Sequence, residues 1–154
     1  MKTIILGTCY LLGLMTCFSS CSHAEEDEVS ATKSFYFMEP VTQWGCSSEE
    51  VRSHMTGYSL VTSSPASLIY EGKDSETAYL YAFSQNGASL SYSVVTFDLS
   101  MKDEVIEYMN HNYTLQSAER GNCIFTNDDH STFITTTADD CFRLTYMGYS
   151  YIAK

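Results

Sequence analysis

Residues 51–60, VRSHMTGYSL, are answered by residues 105–115, VIEYMNHNYTL. In each stretch a Val and a Met stand at i, i+4, the spacing that puts two side chains on one helix face. Each then changes to strand character, through Gly57-Tyr58-Ser59-Leu60 in the first and Asn112-Tyr113-Thr114-Leu115 in the second. The correspondence continues downstream. Leu68-Ile69-Tyr70-Glu71-Gly72 matches Cys123-Ile124-Phe125-Thr126-Asn127, and residues 78–83 match residues 132–137, at an offset of 54 or 55 residues throughout. Self-similarity at a fixed offset is the signature of a repeated structural unit.

One such unit holds a helix and four strands and cannot by itself bury both its helix and its sheet face. The expected fold is therefore α+β. Two tandem α-β-β-β-β repeats, about 44–98 and about 99–152, form one continuous antiparallel sheet with both helices on one face.

Local signals place the elements. Ser47 followed by Glu50 is a capping box, in which hydroxyl and carboxylate each satisfy an orphan backbone N–H, and it predicts a helix from Ser48 to about Met55. Ser100-Met101-Lys102-Asp103 reads as a second cap ahead of a helix from Lys102 to about Asn110. Strands are expected over 34–38, 58–62, 67–71, 78–84, 89–97 and 131–138. Asn86-Gly87 marks a hairpin, since both positions tolerate positive φ.

The ends of the chain speak to address rather than fold. Residues 4–18 are apolar after a single Lys2, too short a run for a stable membrane span, and read as an export signal over 1–20. Phe18-Ser19-Ser20-Cys21 resembles a bacterial lipoprotein box, in which Cys21 is acylated and becomes the first residue. The alternative is cleavage after Ala24, which gives a secreted or periplasmic chain. From Cys21 to Lys33 the chain is acidic and nearly free of large apolar residues, as expected of a flexible tether, leaving 34–154 as one domain.

The net charge is −11, and loss of residues 1–20 takes away Lys2 and no acid. Such a charge repels phosphate backbones, so nucleic acid is not an expected partner. Beyond Cys21 there remain Cys46, Cys123 and Cys141, too few for a disulfide framework. At most one bridge can form among them, with Cys123 to Cys141 the first choice.

The leader, the acidic tract and the segment Trp44-Gly45-x-Ser47-x-x-x-Val51-x-x-x-Met55 resemble small lipoproteins of gut Bacteroidetes. The paired helix-then-meander pattern over most of 40–152 also resembles the fold shared by the beta-lactamase inhibitor protein and the SmpA/OmlA outer-membrane lipoproteins. One helix per unit is visible here, where those families have two. The resemblance implies an envelope lipoprotein whose sheet binds another macromolecule.

No motif with catalytic spacing is present, and no cofactor is implied. Cys46 lies just before a helix start, where the dipole lowers a thiol pKa, and His54 or His111 could serve it as a base. The plainer reading is a small side chain packed beside Trp44. Asp128-Asp129 with His130, and Asp139-Asp140, lie at opposite ends of one strand roughly 25 Å apart. They lack calcium-loop spacing and read as turn residues, so no metal site is expected.

Aromatic side chains carry the functional colour. Tyr79, Tyr81, Phe83 and Tyr92 flank the expected hairpin and form either a binding face for a protein or glycan or the core under the helices. The chain is thus expected to be a non-catalytic envelope lipoprotein, lipid-anchored in the outer membrane and acting through its sheet. The alternatives are an inhibitor of a secreted or periplasmic enzyme and, further off, a small hydrolase.

Overall fold

The computed structural model describes residues 37–74, 76–84 and 87–149. The signal segment 1–20, Cys21, Ala24 and the tether to residue 33 lie outside the described residues, as do 34–36 of the expected first strand and Gln85-Asn86 of the hairpin.

Ten main elements follow one another: α1 (Ser48–His54), β1 (Ser59–Ser64), β2 (Ser67–Glu71), β3 (Ala78–Ser84), β4 (Ser89–Phe97), α2 (Lys102–Asn112), β5 (Thr114–Glu119), β6 (Asn122–Thr126), β7 (Thr132–Ala138) and β8 (Phe142–Gly148). The capping box forms as the spacing predicts. The Glu50 N–H donates to Ser47 Oγ at 3.3 Å, and the Ser47 N–H donates to Glu50 Oε2 at 2.7 Å. The second helix starts differently. A 3-10 turn, Leu99–Met101, precedes α2, and Asp98 caps that turn by accepting from the Ser100 N–H at 2.9 Å. The first residue of α2 has no side-chain cap, so Ser100 is not the N-cap its spacing suggests.

The eight strands form one antiparallel sheet in the order β1-β2-β3-β4-β8-β7-β6-β5. β1 and β5 are the edges, and the β4–β8 pair is the centre. Both edge pairs carry a register shift: Leu60↔Tyr70 is followed by Thr62↔Ile69, and Leu115↔Phe125 by Ser117↔Ile124. A bulge at an exposed edge raises the local twist and makes it a poorer template for further pairing.

Side chains along β2, β3, β7 and β8 alternate, and β4 does so from Ser93 onward, after a register shift against β3. Leu68, Tyr70, Tyr79, Tyr81, Phe83, Val95, Phe97, Ile134, Phe142, Leu144 and Tyr146 are buried, while the residues between them are at least partly open. The same core cluster includes Val51 and Met55 of α1 and Val105 and Met109 of α2. The Tyr81 hydroxyl reaches Met55 Sδ at 3.1 Å. Each such apolar side chain contributes roughly 1.5–3 kcal/mol when fully buried.

Phe37 and Met38 belong to no strand, contrary to the sequence expectation. The Phe37 ring packs on Phe97 at 5.6 Å and edge-on to Tyr108 at 4.7 Å, and this tertiary burial overrides the strand propensity. The chain then crosses the core side of the sheet. Ser93 Oγ donates to the Val41 carbonyl at 2.8 Å, the Trp44 indole N–H donates to Thr132 Oγ1 at 3.1 Å, and Leu90 exchanges main-chain hydrogen bonds with Gly45 and Cys46. The Trp44 ring lies so close to Gly148 that a Cβ there would stand 2.8 Å from it.

Candidate binding face

Three of the four aromatic residues considered for a binding face are core residues. Tyr79, Tyr81 and Phe83 are buried in the core cluster, with the Tyr81 hydroxyl on Met55 Sδ, so they cannot meet a partner. Alternation divides β3 into two rows, and its rings stand on the buried one. Tyr92 lies on the other row and is 42% exposed.

Cross-strand register defines this second face. Its middle row is Ile69, Leu80, Val94, Thr145, Thr135 and Ile124, consecutive neighbours from β2 to β6. Towards one end the row is Ala82, Tyr92, Met147 and Phe133, and Tyr149 stacks on Phe133 at 5.7 Å. Towards the other end the row is Glu71, Ala78, Thr96, Arg143 and Thr137.

The two ends occupy equivalent places in the sheet. Pairs such as Tyr70↔Tyr79 and Phe125↔Ile134 stand 55 residues apart, while β4 and β8 correspond at 51. The sequence match of 78–83 with 132–137 is therefore one residue short. In a strand one residue exchanges the faces, and the register equates Tyr79 with Ile134 rather than with Phe133. By the same register Glu71 corresponds to Thr126, Ala78 to Phe133, Thr96 to Met147 and Asp98 to Tyr149.

Where one end has rings, the other has a groove of about 660 Å³. Val61, Ile69, Ala78 and Thr96 line it, with carboxylates from Glu71, Glu76, Asp98 and Asp140, and none of its described lining residues is basic. The nearby Lys73 is 5.2 Å over the Tyr58 ring, which itself packs edge-on to the core residue Tyr79.

A second polar hollow, of about 510 Å³, lies beside Glu39, Tyr108, Tyr113 and Asn127-Asp128-Asp129. Tyr108 donates to Glu39 Oε1 at 2.9 Å. Desolvation among the rings pushes the Glu39 carboxyl above its ordinary value although the residue as a whole is exposed, and hydrogen bonds from Tyr113 and Tyr108 oppose the shift. The buried Tyr146 hydroxyl is directed at the same carboxylate without completing a hydrogen bond of good geometry. This cluster ties the 37–47 segment to α2 and β8.

The other candidate groups are placed as follows. Cys46 is 5% exposed, and burial, then the charge of Glu50, pushes its thiol upward, the reverse of an activated nucleophile. His54 and His111 instead bond the carbonyls of Glu50 and Glu107 on their own helices. Cys123 and Cys141 are free thiols, not the expected disulfide. β7 runs between the strand of Cys123 and the strand that Cys141 precedes, two strand spacings or roughly 10 Å, and a disulfide needs Cα atoms closer than about 7 Å. Asp129 accepts from the Ser131 N–H at 2.9 Å and Asn127 Oδ1 from the Thr132 N–H at 3.0 Å, which makes 127–131 a hydrogen-bonded turn. Among the described residues no three His, Cys, Asp or Glu side chains gather as a metal site.

No protein-family model matches the chain, and no curated protein or solved structure is found to be similar to it.

Proposed function

We propose that this chain is a lipid-anchored lipoprotein of the bacterial envelope, non-catalytic, and that it binds a macromolecular partner on the second face of its sheet. Cys21 is the acylated residue in this reading, and 22–33 hold the domain off the membrane. We also read the domain as two copies of one α-β-β-β-β unit whose helices cover the same sheet face. Strand pairings that recur at constant offsets, with the bulge repeated in both edge pairs, support that reading.

The observation that carries the binding role is the second face itself. It crosses the sheet from Ile69 to Ile124 with apolar and hydroxyl side chains only half-buried, and Tyr92 and Tyr149 stand at one end, 42% and 55% exposed. Tyrosines of this kind, half apolar and half polar, are the usual anchors of binding surfaces.

A photo-crosslinking residue at Val94, in the middle of this face, tests the role in cells. Adducts are expected from Val94 and not from Glu104 on α2; adducts from Glu104 alone would move the binding surface to the helices. Labelled fatty acid tests the anchor, and equal incorporation into wild type and Cys21→Ser would refute it.

A further inference from the structure

Resting on that reading of the second face, we propose that its groove takes an extended Lys- or Arg-bearing segment of a protein partner. The groove runs from the bulged Val61 of β1, across Glu71, Ala78 and Thr96, to Asp140 and Cys141 in the β7–β8 turn. Four strand spacings make this roughly 19 Å, the length of about six extended residues.

Its chemistry selects the occupant. Val61, Ile69 and Ala78 give an apolar floor for the methylenes of a long side chain, and carboxylates on both sides meet the charged head. Arg143, the neighbour of Thr96 on β8, is paired with Asp139 at 3.2 Å, and no Lys or Arg is among the groove's described lining residues. A net charge of −11 steers a basic segment in and turns away nucleic acid and anionic lipid.

The groove exists because Ala78 and Thr96 are small where Phe133 and Met147 stand at the equivalent places. That comparison supplies the test. Ala78→Phe fills the floor with a side chain the fold already accepts on β7, and it leaves every charge in place, so non-specific attraction to the acidic surface is unchanged. Thr96→Met is the milder second variant.

The probe is a fluorescent octapeptide alternating Lys and Val, titrated against the full chain at about 0.15 M salt. A Glu-Val octapeptide and spermine are the controls. Wild type should bind the Lys-Val peptide, Ala78→Phe should weaken it about tenfold, and the double change Glu71→Gln with Asp140→Asn should weaken it comparably. Thermal unfolding confirms that each variant is folded, and a misfolded Ala78→Phe passes the decision to Thr96→Met. Equal affinity of the folded filled variant and wild type would overturn the proposal, as would spermine binding as tightly as the peptide. If the peptide result fails while Val94 still crosslinks, the face remains a binding face and only the basic partner is wrong.

Discussion

At the place Ala78 holds in β3, β7 carries Phe133; opposite them, Thr96 and Met147 differ in the same sense. The two halves share a register and diverge in where they put their bulk. On β2 and β3 the first half places its rings on the core side, with Tyr70, Tyr79 and Tyr81, and leaves a groove on the second face beside Ala78. On the strand equivalent to β3 the second half instead places Ile134 and Thr136 on the core side and Phe133, stacked with Tyr149, on the second face. A strand has two independent rows, so one scaffold can keep its pairing while the rows exchange volume.

The largest expected consequence lies in the core. Tyr81 and Thr136 are equivalent and both buried, but Tyr81→Ala empties a ring-sized volume and should cost about 3–5 kcal/mol. Thr136→Ala loses the hydroxyl that accepts the Cys123 N–H at 2.7 Å and should cost about 1–3 kcal/mol. Urea unfolding of both variants measures the difference, and equal costs would erase the asymmetry.

Next comes the ring that closes the second half. Gly148→Ala sets a methyl against Trp44, with an expected cost of about 1–3 kcal/mol and a displaced indole visible in fluorescence. An unshifted emission and unchanged stability would mean the indole has room to spare.

The helix starts differ too. Ser47→Ala removes the hydroxyl that accepts the Glu50 N–H, leaves the Ser47 N–H on the Glu50 carboxylate, and should cost about 1 kcal/mol. Asp98→Ala, which uncaps only a 3-10 turn, should cost less. A larger loss from Asp98 would reverse the ranking of the two starts.

The smallest effect concerns Glu39, which has no described counterpart in the first half. Burial raises its carboxyl, so the native chain keeps a proton over a pH window in which the unfolded chain has released it. Stability therefore falls as pH rises from the unfolded value through the raised native one. Melting wild type and Glu39→Gln from about pH 4 to about pH 7 should show the wild type losing ground relative to the variant across that window. Parallel curves would show that the carboxyl is effectively solvated.

Much of this architecture is legible in the residues. The bounds of β2, β3 and β4 follow from alternation and turn chemistry, and Ser47 with Glu50 announces α1. The row of β3 that faces the core is not legible, because Tyr79, Tyr81 and Phe83 on one side and Ala78, Leu80 and Ala82 on the other both suit a buried strand. Contact with Met55 decides it. The sequence match of β3 to β7 errs by one residue for the same reason: apolar identity is similar in both rows, and only pairing tells them apart. The groove is invisible in sequence because it consists of missing bulk at Ala78 and Thr96, with walls from Val61 and Asp140 far apart in the chain.

The central claim is that the second face is covered in the cell. Single cysteines at Thr145, on that face, and at Asn110, on the exposed side of α2, allow maleimide labelling with each site read by mass spectrometry. Thr145→Cys should label readily in the purified chain and be protected in membranes of the producing cells, while Asn110→Cys labels alike in both. Equal labelling of Thr145→Cys in the two preparations would contradict the account.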